Sequence, residues 1–341
     1  MKNPLVSIIV PVYNVEPFLS KCLDSLIDQK LSTIEIICVN DASVDGSLRI
    51  LESYAERDPR IRIIDKPINE GLSATRNVGI AAVKGEWSMF VDSDDFVEPE
   101  LCSNAYECAS SKDADLVIYD YSSFSSDSDL HRGSAHDSRL NGLDPHDKAA
   151  LLSLFAYAWT KFIRTEHLLK LGALFPVGKT YEDQPFHWQV VLGTKKVGLL
   201  PKRLYKYRQR AGSIGYRSDW SRADYALVYD DILDFLRSCG LFEEYRPIFI
   251  RQRLQRFAVT HDTISPEFRH RIKQLALQRM DREHWQIVHS DRLLDRRTRD
   301  FFLYLEGDWM AMLRRRAWMA ARAGYRLFRP APDVAESAND K

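Results

Sequence analysis

From residue 6 to about residue 121, short apolar runs rich in β-branched residues alternate with segments of helical period. This is the order expected of a mostly parallel sheet with crossover helices. Residues 6–12, 34–39, 61–64, 87–91 and 115–119 read as strands, each nearly continuously apolar, as parallel strands buried on both faces are. The pattern predicts helices over 17–27, with Pro17 in the first turn, over 48–55 behind Asp45-Gly-Ser47, and over 73–83, closed by Gly85. Residues 122–147 are rich in Ser, Asp, His and Gly without a sustained period and read as a loop over the sheet. Beyond it the pattern gives short helices, the first over 148–157, and two strands, 196–200 and 204–207. After Trp220 only helical patterns follow, to Phe328, and then a polar tail. The expected organisation is one α/β domain over 1–217, a helical region over 218–330 and a tail over 331–341. Within the first domain, 1–121 carries the strand ends of the α/β half, 122–147 is the loop and 148–217 the remainder.

Composition narrows this picture only slightly. The 341 residues suffice for two ordinary cores, and 45% hydrophobic with 28% charged residues is the balance of a soluble globular chain. The 48 basic residues match the 48 acidic ones, so there is no overall field to attract a polyanion and nucleic acid is not an expected partner. Five cysteines without a C-x-x-C pair argue against a disulfide framework or a zinc site and fit a reducing cytosol. The apolar run 6–12 is too short for a signal peptide. Residues 311–327, the nearest approach to a membrane span, are interrupted by arginines, so no crossing is expected.

In an open parallel sheet, ligands bind beyond the carboxyl ends of the strands. Here those ends read Pro11-Val-Tyr-Asn14, Asn40-Asp-Ala-Ser-Val-Asp45 and Asp92-Ser-Asp-Asp95. An aromatic ring, a hydrogen-bonding carboxylate and a carboxylate cluster suit a nucleotide diphosphate bound through a divalent metal. Three carboxylates within four residues repel one another unless a cation or solvent compensates. Mn²⁺ or Mg²⁺ needs only one or two of them when substrate phosphates complete its shell. The plainer alternative is an acidic turn capping the helix near Pro99.

Four segments resemble, in order, the motifs of family 2 glycosyltransferases of the GT-A fold: Val6-Ser-Ile-Ile-Val-Pro-Val-Tyr-Asn14, Asn40-Asp-Ala-Ser-Val-Asp-Gly-Ser47, Asn69-Glu-Gly-Leu-Ser-Ala-Thr-Arg-Asn-Val-Gly79 and Phe90-Val-Asp-Ser-Asp-Asp95. The likeness continues through Ala158-Trp-Thr-Lys-Phe162, Tyr181-Glu-Asp-Gln-Pro-Phe-His187 and Tyr205-Lys-Tyr-Arg-Gln-Arg-Ala-Gly-Ser-Ile214, about two-thirds of the chain. It implies a Rossmann-like nucleotide-sugar domain with the donor site in 1–121 and the acceptor and base region in 148–217. The donor is a nucleotide-activated sugar, UDP-linked in many relatives. Pro11 and Tyr13 would lie near the base, Asp41 on its edge, Arg76 beside base or diphosphate, Asp92 at ribose or sugar hydroxyls, and Asp94 on the metal. Asp95 would stand behind Asp94 or touch the donor sugar. Asp183 of the Glu182-Asp183 pair would be the general base, on the face opposite the leaving diphosphate; the bland reading is an acidic pair at a helix start.

Arg208 and Arg210 suit phosphate oxygens, or are simply solvated, and Ser213 sits on a Gly-flanked loop. His187 would complete the metal's shell, unless it packs. One departure is the threonine before Lys161, where the family has asparagine. The Q-x-x-R-W motif and membrane helices of processive relatives are absent from this sequence, so one sugar or a few are expected per acceptor.

Trp309, Met310, Met312, Leu313, Trp318 and Phe328 interleave with six arginines up to Arg329, a composition suited to an interfacial helix on anionic lipid as well as to ordinary packing. The expected activity is inverting transfer from a nucleotide-sugar to a glycan or lipid-linked acceptor of capsule, exopolysaccharide or lipopolysaccharide. The expected place is the cytoplasm, peripherally at the inner membrane face. A sugar-1-phosphate nucleotidyltransferase would need a glycine-rich loop after the first strand, which Pro11-Val-Tyr-Asn14 lacks. A binding module without turnover, or a carboxylate-pair hydrolase, would share some of these residues.

Overall fold

The computed structural model describes residues 3–125, 140–210 and 217–327. The chain divides into two compact units, Met1–Gln209 and Arg210–Lys341. The division falls eight residues before the boundary expected at 217, directly after the last strand of the sheet.

The first unit opens as the hydrophobic pattern predicts: β1 (Val6–Val12), α1 (Glu16–Ile27), β2 (Ile34–Asn40), α2 (Ser47–Arg57), β3 (Ile61–Asp65), α3 (Leu72–Ala82) and β4 (Trp87–Phe90). These four strands pair in parallel in the order β3-β2-β1-β4. β1 is buried along its whole length, which explains why Ser7 is its single polar side chain. Helix α3 lies close on β1, because a Cβ at Gly79 would stand 2.3 Å from the Ile9 methyl; only glycine permits that approach. As the crossover from β3 to β4, α3 begins at the carboxyl edge of the sheet.

The rest of the unit follows as β5 (Phe96–Val97), α4 (Leu101–Ser111), β6 (Leu116–Phe124), α5 (Lys148–Leu152), β7 (Lys161–Arg164), α6 (Thr165–Leu171), α7 (Asp183–Gly193) and β8 (Val197–Arg208). The eight strands form one sheet, β3-β2-β1-β4-β7-β6-β8-β5. It is mixed, because β7 enters antiparallel between β4 and β6 and β5 pairs antiparallel with β8. Four local expectations change. β7 was not predicted: its four residues are charged at both ends, and Phe162 stacking on Trp87 at 4.8 Å is a tertiary contact. Residues 122–124, expected as loop, extend β6 to Phe124. The two strands expected at 196–200 and 204–207 are one, β8, whose pairing with β6 slips on either side of Asp120: Tyr119 faces Leu200 and Asp120 faces Arg203, so that Pro201, which has no N–H to give the ladder, falls in the skipped stretch. The helix expected over 148–157 stops at Leu152.

The second unit is helical throughout its described residues: α8 (Asp224–Ser238), α9 (Phe242–Thr263), α10 (Arg269–Leu277), α11 (Arg282–Ser290), α12 (Arg296–Glu306) and α13 (Trp309–Leu327). Asp281 and Asp295 cap α11 and α12 by accepting backbone N–H groups of their first turns. Tyr229, Phe249, Phe257, Phe301 and Phe302 form its buried interior. Helix α13 is held by its inner face. Ala311 is fully buried, Arg314 pairs with Asp300, and Arg315 reaches Asp262, whose side chain is completely shielded and also bound by Arg297 and His261. The zero net charge hides an asymmetry: this unit carries 24 basic and 19 acidic residues, the first unit 24 and 29.

Candidate active site

The loops after β1 and β2 are tied to each other. Asn14 and Ala42, immediately beyond the strands, take φ of 49° and 55°, a left-handed backbone that non-glycine residues adopt at a cost. The Asn14 N–H donates to the Ser43 hydroxyl at 3.1 Å and the Val44 N–H to the Asn14 side-chain oxygen at 2.9 Å. The Glu16 N–H meets Asp45 at 3.0 Å, and the Gly46 N–H meets Glu16 at 2.7 Å. Tyr13 stands 47% exposed at this rim, while Pro11 is buried within β1.

Asp41, expected on a base edge, is 2% exposed and draws in the loop after β3. Its carboxylate is paired with Lys66 and accepts the N–H groups of Glu70 at 3.0 Å and Gly71 at 2.8 Å. Gly71, at φ 87° and ψ 170°, occupies backbone space reserved for glycine. Three strand-end loops are thus tied to one another. Lys66 was not singled out from sequence; its only signal there is a position just past the third strand.

In the acidic turn after β4, Tyr205 of β8 carries much of the architecture. Its hydroxyl donates to Asp95 at 2.8 Å and accepts the Asp92 N–H at 3.1 Å. The Arg208 N–H donates to the other Asp95 oxygen at 2.6 Å, and its Nε to the Asp94 carbonyl at 2.9 Å. The Arg208 guanidinium lies against the rings of Phe18 and Phe124. Arg208, expected as a phosphate clamp, therefore braces the backbone of the turn. Burial, together with Asp94 and Asp92, pushes the Asp95 carboxyl well above its usual range. Burial also raises Asp92, against the opposing pull of Arg76. Asp94 is half-buried.

Arg76 of α3, expected beside base or diphosphate, is 1% exposed and lies behind the carboxylates. Its Nη2 donates to Asp92 at 2.8 Å, and its Nη1 to Glu182 at 2.6 Å and Asp183 at 2.8 Å. The acidic turn and the start of α7 are thereby joined through one guanidinium. Tyr181, at φ 61°, turns the chain into α7, so that Asp183 begins the helix where its N-terminus favours a negative charge. The Asp183 side chain keeps 18% of its surface accessible and Glu182 only 7%. Burial and the neighbouring Asp183 raise Glu182 to about 7, against Arg76.

Lys161 beneath them is fully buried and donates to the carbonyls of Ala156 at 3.1 Å and Tyr157 at 2.6 Å; burial brings its ammonium down to about 7. His187, expected as a metal ligand, is 1% exposed, with Nε2 at 3.2 Å from the Leu151 carbonyl, which requires the proton on that nitrogen. Ser213, the tail 331–341 and Arg329 lie outside the described residues.

Among the described residues no three His, Cys, Asp or Glu side chains converge as a complete metal cage. The acidic turn nevertheless suits a hard divalent cation. Its donors are carboxylate oxygens; burial first, and then the neighbouring carboxylates, raise Asp92 and Asp95, and a cation would offset both effects. Asp94 with substrate phosphates makes a sufficient donor set.

The site thus combines a parallel β-α half with loops tied together beyond its strand ends, an acidic turn, and a second acidic pair within one guanidinium's reach. The chain belongs to glycosyltransferase family 2: it matches the model "Glycosyl transferase family 2" over residues 7–172 and is 34% identical over 275 residues to EpsH of Bacillus subtilis (strain 168), which bears a glycosyltransferase name, covering 77% of each chain. The poly(ribitol-phosphate) beta-glucosyltransferase of Bacillus spizizenii is 32% identical over 207 residues, 59% of this chain and 32% of that longer protein. Among solved structures, S. aureus TarS 1–349 with UDP-GlcNAc superposes with a TM-score of 0.58 at 22% identity, over 80% of this chain and 87% of the other. Mannosyltransferase PcManGT from Pyrobaculum calidifontis, with GDP-Man and Mn²⁺, gives 0.55 at 16% identity over 96% and 88%. At these identities the structures speak for the GT-A fold.

Proposed function

We propose that this glycosyltransferase moves a sugar from a UDP-sugar, with inversion, onto a hydroxyl of a glycan or lipid-linked glycan acceptor of a surface polysaccharide. The observation that carries this reading is the pairing of Asp183 with the donor-side Asp92 through Arg76, from elements 107 and 16 residues away from Arg76 in sequence. In a single displacement the acceptor oxygen bonds to the anomeric carbon as the bond to the diphosphate breaks, and Asp183 takes the acceptor's proton. Tyr13 and the tied loops after β1 and β2 form the base side, and Asp92 the sugar side. Asp94 would hold a divalent cation, which when bound would supply positive charge for the diphosphate leaving group.

The test is calorimetric titration with UDP, GDP and CMP, each with and without Mn²⁺. UDP binding strengthened by Mn²⁺ is expected, and Asp94→Ala should weaken the metal-dependent part by on the order of tenfold or more. Unchanged affinity in that variant sinks the metal assignment. A preference for GDP or CMP redirects the donor, and no nucleotide binding at all favours the reading as a module or partner subunit without turnover.

No helix among the described residues is long and apolar enough to cross a membrane. The face of α13 turned away from Asp262 exposes Trp309 (64%), Met310 (44%) and Leu313 (46%) beside the exposed Arg316, in a unit with excess basic charge. Aromatic and aliphatic side chains flanked by arginine suit an anionic lipid surface, where a lipid-linked acceptor resides. Flotation with vesicles of phosphatidylcholine and phosphatidylglycerol should recover the protein, and Trp309→Ser with Leu313→Ser should lower the recovered fraction roughly tenfold. Equal flotation of this variant and the wild type would remove the face from consideration.

A further inference from the structure

Arg76 stands where a substrate cannot reach it. The guanidinium is 1% exposed, while two of its three partners, Asp92 and Asp183, keep 24% and 18% of their side-chain surface. The carboxylates therefore face the site, and the arginine holds them from the protein side.

Its own position is fixed by packing. The guanidinium lies over the Phe175 ring, 5.2 Å from its centroid, and Phe175 stacks on Phe186 at 4.1 Å within α7. Asn77, the next residue of α3, grips Phe175 twice, donating to its carbonyl and accepting its N–H, both at 2.9 Å. Phe90, the last residue of β4, meets both rings edge-on. The strand that leads into the acidic turn, the helix that carries Arg76 and the helix that begins with Asp183 thus share one aromatic lock, with Arg76 at its polar end. An arginine buried only to balance charge would need no such alignment. Here Nη1 and Nη2 are assigned to different sides of the site, a division that the planar fork of arginine permits and a lysine ammonium does not.

We propose that Arg76 is the positioning residue of the transfer: it sets Asp183 relative to Asp92, so that the group receiving the acceptor's proton is placed with respect to the bound donor. This rests on the reading of Asp183 as the base. The role differs from a donor contact, which would appear in donor affinity, and from a purely structural pair, whose loss would add to that of any other site residue.

A double-mutant cycle separates these roles. Wild type, Arg76→Lys, Asp183→Asn and the double variant are compared for UDP·Mn²⁺ affinity by calorimetry. Turnover is followed as UDP release from UDP-glucose and UDP-N-acetylglucosamine with a mixed oligosaccharide acceptor. Arg76→Lys is expected to keep UDP·Mn²⁺ affinity and donor KM within about threefold while kcat falls roughly 10- to 100-fold. The double variant should be no slower than Asp183→Asn by more than about threefold, because a misplaced base and a missing base fail together.

Losses that multiply, or a change confined to donor KM, overturn the positioning role while leaving Asp183 as base. Wild-type turnover in Asp183→Asn instead overturns the base reading itself. Should Arg76→Lys fail to fold, Arg76→Gln combined with Glu182→Gln removes one buried carboxylate along with the cation. The same kcat loss at unchanged UDP·Mn²⁺ affinity is then expected, and unchanged kcat overturns the proposal.

Discussion

Asp183→Asn should lower turnover by roughly 10² to 10⁴ while UDP·Mn²⁺ affinity stays within about threefold of the wild type. Asparagine preserves the size of the side chain and offers Arg76 Nη1 an acceptor in place of the carboxylate oxygen now 2.8 Å away. The start of α7 is therefore expected to stay in place. What is lost is the capacity to take a proton from the acceptor hydroxyl. Glu182 does not substitute, since its side chain is only 7% accessible and sits behind Asp183 on the same guanidinium nitrogen. On the proposed reading nucleotide binding would draw on the loops after β1 and β2 and on the acidic turn, whose bracing hydrogen bonds do not involve Asp183. Turnover near wild type would assign the proton to another group and leave Asp183 as a helix-start carboxylate.

The parallel half was legible because buried parallel strands are largely apolar, so the polar residues that end them stand out as site candidates. Asp92 and Asp94 are named on that basis and by resemblance, Asp183 by resemblance alone, since it begins a helix. What sequence does not disclose is which side of a site a residue occupies. Arg76 and Arg208 read as phosphate ligands, yet they stand behind the acidic groups, because Gly79 seats α3 so close to β1 and because β8 runs on past Pro201 to bring Arg208 to Asp94 and Asp95. Strand β7 carries no period of its own; its place is set by partners on both sides and by Phe162 on Trp87. Lys66 and Tyr205 escape notice for the same reason, being functional only through tertiary neighbours. Tyr205, though within a family-like segment, owes its role to the hydrogen bonds that link Asp92 and Asp95.

The same kind of hidden dependence governs the helical unit, where Asp262→Ala is expected to cost on the order of 3–5 kcal/mol. The Asp262 side chain is completely shielded and faces Arg315 of α13, Arg297 of α12 and its neighbour His261, so one carboxylate joins three helices. Removing it leaves the Arg315 guanidinium, only 6% accessible, buried without its counter-charge. Loss of protection in α9, α12 and α13, with the sheet of the first unit unaffected, is the expected pattern in amide hydrogen exchange on the full chain. Unchanged protection of α13 would show that its apolar contacts suffice.

Acid should act on the same joint. Burial holds His261 and His284 below the ordinary histidine value. The unfolded chain therefore binds protons first as pH falls below about 6.5, and stability declines from there. The Asp262 carboxyl is held low by His261, Arg315 and Arg297 against the effect of its burial. Its contribution is present above about pH 4 and is lost as pH falls through its depressed folded value. Exchange in the helical unit should thus rise in two stages on acidification; Asp262→Ala should diminish the second, leaving the part carried by Asp281, which is also held low, and should leave the His284 part of the first.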